Sequence, residues 1–275
     1  MSIRPTCFAG LFGALLVCGS GPAAAQTGEV VDRSALKVCA DPNNLPFSDE
    51  KKEGFENKIA DLIGTELGRK VDYVWYPQVI GFVRNTLRAH LCDLVMGTVA
   101  GDEIMQTTNP YYFTSYVVFQ RSDKGLAFEG LDDPRLKSLH LGVVAGTPPS
   151  DLLARHDLMS RTKPYPLTAD TRAESPTHQM VQDVVDGTID IGFLWGPIAG
   201  YWRKHDALPL TLVPLKSEPG APRMAYHIAM GVRANEPEWR RSINAAILKR
   251  QAEITAILQD YGVPLLNDQG ELAAP

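Results

Sequence analysis

The sequence has no apolar run long enough to cross a bilayer. Its longest, residues 8–18, holds about 11 residues against the roughly 20 that spanning requires. It also lacks a basic cluster: 27 Lys and Arg stand against 32 Asp and Glu, for a formal charge of −5. That balance leaves no electrostatic footprint for nucleic acid or anionic lipid. Histidines occur singly, at His90, His140, His156, His178, His205 and His227, and never at the spacing of a zinc motif. "DPNNLPFSDEKK" lacks the turn glycine and closing glutamate of a calcium loop. No GxSxG lies beyond the N-terminal segment, so a nucleophile elbow is not indicated.

What is present at the N-terminus is Arg4, then the short apolar run, then Ala23, Ala24 and Ala25. This is the pattern of an export signal, so residues 1–25 are expected to be removed and the product to be periplasmic. Cleavage takes away one charge, Arg4, leaving 26 basic against 32 acidic residues and a formal charge of −6. Of the four cysteines only Cys39 and Cys92 remain. An oxidising compartment favours pairing them. The strands that carry them, if parallel neighbours, put them roughly 10 Å apart, and a bridge needs Cα atoms within about 7 Å. Both a disulfide and two free thiols stay open.

Apolar periodicity alternates between strand and helix. Residues 36–40 form a strand. Phe55, Ile59, Leu62, Ile63 and Leu67 mark one face of a helix stopped at Gly68, 71–76 form a second strand, 81–89 a helix and 93–97 a third strand. Such alternation requires a parallel sheet with right-handed crossovers. Residues 116–121 lead away to a second unit: strand 139–144, a helix entered through Thr147 and Pro148, helix 177–185 and strand 189–195. A returning strand, 226–233, leads to a long terminal helix with Asn235 and Glu238 as its capping box. The expected fold class is α/β with two lobes, each a mostly parallel sheet flanked by helices, joined by two crossing strands. Lobe 1 takes residues 26–118 and 225–275; lobe 2 takes 119–224.

In open parallel sheets ligands meet the carboxyl ends of the strands, where the loops gather. "ADPNN", "GTVAGDE", "AGTPP" and "LWGPIAGYW" stand at such ends. The residues expected to line the cleft or meet a partner are Asp41, Asn43, Asn44, Phe47, Thr98, Tyr111, Tyr112, Gly146, Thr147, Trp195 and Tyr201. No catalytic residue, metal ligand or cofactor of its own is expected.

From residue 36 to 264 the chain resembles the type II periplasmic solute-binding proteins, through "GFENKIADLIGTELG", "CDLVMG", "LGVVAGTPPS" and "IDIGFLWGPIAGYW". Within them, "VCADPNNLPFS", "GFVRNTL", "TTNPYY" and "WGPIAGY" resemble the MoxJ/XoxJ accessory group associated with quinoprotein methanol dehydrogenases. The resemblance implies a non-enzymatic monomer whose partner is the large subunit of a methanol dehydrogenase that uses pyrroloquinoline quinone (PQQ) with calcium or a lanthanide. The dehydrogenase's cytochrome is a second candidate partner. Nucleic acid and membrane insertion are not implied. Amino-acid binders of the superfamily clamp the ligand carboxylate with an arginine after the third strand and its ammonium with an acid ending the last strand of lobe 2. Here Asp102 and Glu103 occupy the first region and Trp195 the second. Losing two charge-assisted contacts of roughly 1.5 to 3 kcal/mol each lowers amino-acid affinity at least about a hundredfold. The alternative reading is a transporter's binding protein for a small molecule other than an α-amino acid, such as PQQ or a metal chelate. A dehydratase-like enzyme on the same scaffold rests on fold analogy alone.

Overall fold

A computed structural model describes residues 34–125, 130–171 and 175–273. The expected signal segment, 1–25, and the start of lobe 1, 26–33, lie outside the described residues. Strand β1 (Ala35–Ala40) is followed by a two-residue ribbon, β2 (Asn43–Asn44) and β3 (Ser48–Asp49), then by α1 (Phe55–Glu66), β4 (Lys70–Trp75), α2 (Phe82–Asn85), β5 (Leu94–Val99) and the short β6 (Gln106–Thr107). β7 (Tyr112–Arg121) leaves this unit for β8 (Leu141–Val144), α3 (Pro148–Arg155), β9 (Thr162–Tyr165), α4 (Pro176–Val185), β10 (Ile191–Trp195), α5 (Gly196–His205) and β11 (Leu210–Pro214). β12 (Ala225–Val232) returns and leads to α6 (Pro237–Lys249) and α7 (Gln251–Asp260).

The strands form one hydrogen-bonded path, β4-β1-β5-β12-β7-β10-β8-β9, with β11 on β7 and β6 on β12. Each half repeats one arrangement. β1 lies between β4 and β5, all parallel; β8 lies parallel between β9 and β10; each trio ends against an antiparallel crossing strand. The two crossing strands, β7 and β12, pair with each other from Ala225 opposite Ser115 to Ile228 opposite Tyr112. One lobe buries Leu36, Phe55, Ile59, Ile63 and Met96 against Trp239, Ile243 and Ile247 of α6. The other packs Phe119, Val181 and Val184 on one side of its sheet and Leu141, Leu152 and Phe193 on the other.

Three local expectations are corrected. The helix expected over 81–89 shrinks to α2, whose last turns unwind through the buried Thr86 and Leu87 and end at His90, with φ +58°. The terminal helix is two, broken at Arg250, whose guanidinium shares Glu66 with Lys249 and also reaches Glu253. Its capping box does not form: Asn235 takes φ +66°, the helix starts at Pro237, and Glu238 pairs with Arg241.

The cysteines are joined, with Cα atoms 5.5 Å apart. The 10 Å spacing assumed a straight approach to β5. The chain instead turns at His90, and the Asp93 amide donates to the Lys37 carbonyl at 2.7 Å, which brings Cys92 beside β1. Next to it Arg233, buried, donates to Asp93 Oδ1 at 2.9 Å, to the Cys92 carbonyl and to Glu236 at 2.9 Å, while Trp239 Nε1 donates to the Asp93 carbonyl. This junction ties the end of β12 to the start of β5.

Two outcomes are expected. Denatured, unreduced mature protein should titrate no free thiol, and reduction should lower stability by up to about 4 kcal/mol, the chain-entropy value for a separation of 53 residues; two free thiols would refute the pairing. Arg233→Ala, which strands the buried Asp93 carboxylate, should cost about 3–5 kcal/mol in a urea titration.

Candidate functional site

β1 delivers Asp41 to the rim of the cleft, where its carboxylate is buried but fully engaged. Oδ1 accepts from the Asn43 amide at 2.9 Å and from Thr171 Oγ1 at 3.1 Å; Oδ2 accepts from the Gln78 amide at 2.6 Å. The first of these is the local turn bond available to any Asx residue. The second crosses to the other lobe, and Asn43 Nδ2 makes the same crossing to the Thr171 carbonyl. Asn44 Nδ2 donates to Gln78 Oε1 at 3.1 Å. The polar turn is thus both braced and bridged.

Behind it lies a cavity of about 390 Å³ lined by Asp41, Asn43, Asn44, Phe47, Thr147 and Trp195, together with Gln78, His178 and Trp202. Beyond Phe47, Gln78, Tyr116 and Trp195, which border both spaces, is a second cavity of about 420 Å³. It is lined by Glu56, Gly97, Thr98, Tyr112, Pro148, Tyr226 and their neighbours. The wall between the lobes is aromatic. Trp195 meets Tyr116 edge to face at 4.9 Å and Tyr226 at 6.0 Å, and Phe47 meets Phe55 at 5.3 Å. Neither cavity has an arginine or lysine among its described lining residues.

Eight of the eleven expected residues therefore come together: Asp41, Asn43, Asn44, Phe47, Thr98, Tyr112, Thr147 and Trp195. Three line neither cavity. Tyr111 is 2 % exposed, and its hydroxyl donates to the Met96 carbonyl in the core of lobe 1. Tyr201 is buried because "GPIAGY" is helical, in α5, and turns that ring inward onto Tyr261 at 6.0 Å. Gly146 supplies the φ of +74° that the turn into α3 requires. Thr147 occupies the N-cap position of α3, but its hydroxyl donates to the Val144 carbonyl at 2.6 Å rather than capping the helix. Asp102 is held by Thr98 Oγ1 at 2.9 Å and by the Ile104 amide, so it aims no free charge at the cleft.

Glu56 is the residue that the sequence reading missed. It sits in the first turn of α1, lines the second cavity and lies over Gly97, where an added Cβ would come within 2.3 Å of its Oε1. No hydrogen bond or opposite charge reaches its carboxyl among the described residues, and desolvation of this half-buried side chain raises its pKa to about 8. The signal was there: Glu56 stands in i, i+3 and i+7 relation to the buried Ile59 and Ile63, so it shares the inward stripe of α1. Burial holds the Tyr112 hydroxyl far above its ordinary pKa and raises that of Tyr116 to about 12, so both rings stay neutral.

Comparison with known proteins agrees with this architecture. Over 250 residues the chain is 32% identical to Protein MoxJ of Methylorubrum extorquens AM1, covering 86% of this chain and 83% of that protein. The crystal structure of periplasmic binding protein XoxJ from Methylobacterium extorquens AM1 superposes with a TM-score of 0.72 at 40% identity, over 85% of this chain and all of the other. That of MxaJ from Methlophaga aminisulfidivorans MPT gives 0.74 at 31% identity, over 84% and 100%. Residues 36–264 match the model of the bacterial extracellular solute-binding proteins, family 3, and the chain belongs to that family.

Proposed function

We propose that this chain is a non-enzymatic periplasmic accessory protein. It binds a PQQ-dependent methanol dehydrogenase through the cleft and assists that enzyme's assembly or activation, after loss of a signal segment ending near Ala25. The lobes that close on the cleft are 26–118 with 225–275, and 119–224. Its partner surface is built from Asn43, Asn44, Phe47, Tyr112, Thr147 and Trp195. The observation that carries this reading is the cleft's lining: aromatic rings and amides, with no arginine or lysine among the described lining residues to hold a carboxylate. A solute-binding fold without its charge clamps keeps two lobes and a large concave face. Aromatic residues with a polar tip suit such a face to a protein partner. Likeness over most of the chain to proteins named MoxJ, XoxJ and MxaJ supports the same reading.

Tagged protein incubated with periplasm from methanol-grown cells is expected to capture the dehydrogenase large subunit. Trp195, half-buried and bordering both cavities, is the residue to remove. Trp195→Ala should stay folded and weaken capture at least about tenfold, as loss of a central aromatic anchor does. Capture undiminished in the variant refutes the cleft as the interface. Failure of the intact protein to capture the enzyme at several salt concentrations refutes the partnership.

A further inference from the structure

The second cavity has a composition that the partner reading does not use. Among the described residues five aromatic side chains border it, Phe47, Tyr112, Tyr116, Trp195 and Tyr226, and a single carboxyl group, Glu56, stands among them without a side-chain partner. The remaining polar side chains are Gln78 and Thr98, and Thr98 already donates to Asp102. An isolated carboxylate beside desolvated rings is costly unless a positive charge joins it. Ring faces are themselves attractive to cations, and quaternary ammonium groups are the ligands that aromatic cages take best. A primary ammonium would bring three N–H donors needing acceptors, which this wall does not offer in number. A methylated ammonium has no such need. Its charge is spread over methyl groups that pack against rings, and it requires only one counter-charge.

We infer that the cavity between Glu56 and the Tyr116, Trp195 and Tyr226 rings is a binding site for a small methylated ammonium cation, with Glu56 as its counter-ion. A volume of about 420 Å³ accommodates a group of this size. Gly97 is part of the construction, because any larger residue there would displace the Glu56 carboxyl.

The inference carries a pH dependence whose sign is fixed. Tyr73, Tyr111 and Tyr112 feel the Glu56 charge, and all three are neutral well above pH 8. Of these four groups only Glu56 changes charge between pH 7 and pH 9. With its pKa near 8 the unliganded carboxyl is mostly protonated at pH 7 and mostly ionised at pH 9. A cation binds the ionised form, so it releases a proton on binding, and its affinity rises about tenfold between those pH values.

The test is a calorimetric and tryptophan-fluorescence titration of the full mature chain with choline, and with its uncharged isostere 3,3-dimethylbutan-1-ol. Choline should bind saturably, about tenfold more tightly at pH 9 than at pH 7, and at least tenfold more tightly than the alcohol at pH 9. Glu56→Gln should abolish both the preference and the pH dependence. Equal binding of choline and the alcohol to the unmodified protein, or no saturable binding of choline, overturns the inference, and this comparison stands even if the variant does not fold. No dehydrogenase is present, so a negative result here leaves the proposed partnership untouched.

Discussion

The register between the two crossing strands decides the rest of this molecule. β7 pairs with β12 up to Ser115 and with β10 and β11 from Tyr116 onward. At that one change of partner the chain passes from one lobe to the other. Trp195 lies opposite Tyr116 across the β7–β10 ladder, and Tyr226 lies opposite Thr114 across the β7–β12 ladder. Three rings that belong to three segments thus meet where the lobes meet. A slip of one residue would turn each of them to the other face of the sheet. Packing enforces the register from behind: Gly196 brings α5 so near β7 that a Cβ there would lie 2.5 Å from the Ser115 carbonyl oxygen.

The electrostatics of the cleft follow from which ends of which strands reach it. Asp41 arrives from β1 with its oxygens already matched by backbone amides and by Thr171, so it bridges the lobes instead of offering a free charge. The loop after β5 satisfies Asp102 locally. β10 ends in an indole where an amino-acid binder of this superfamily is expected to carry an acid. Among the described residues, what remains is a concave aromatic surface with amide groups at its rim and one unmatched carboxyl, Glu56. Such a surface rewards shape and ring contact more than charge, consistent with a partner that is itself a folded protein.

Much of this was legible in the sequence because the two lobes obey strong local rules. The apolar stripe of α1, the Gly68 that stops it and the Pro that opens α3 each have one structural meaning, and each sits where the pattern put it. The departures come from tertiary contacts that no local pattern encodes. Asn235 and Glu238 have the spacing of a capping box, yet Arg233 is tied down onto Asp93 and Cys92 just before them, and the helix starts one residue later, with Glu236 at its N-cap. The break at Arg250 coincides with a carboxylate from α1, Glu66, that takes two cations. Cys92 reached Cys39 through a bend at His90 that strand arithmetic could not include. In the site, the loop residues were readable from their places at strand ends. Tyr201 was not, since its fate depended on "GPIAGY" being helix rather than loop, and Glu56 was overlooked because an acid in a first helical turn usually faces water.

The claim on which the functional reading stands is that the cleft itself is the docking surface. Hydrogen exchange of the mature protein, free and in complex with purified methanol dehydrogenase, measures this directly. Protection should rise in residues 41–49 and in 195–202, where the polar turn, the end of β10 and the first turns of α5 border the cleft, and should change little on the outer face of α6. Protection confined to the outer helices, with both cleft segments exchanging as in the free protein, would contradict it.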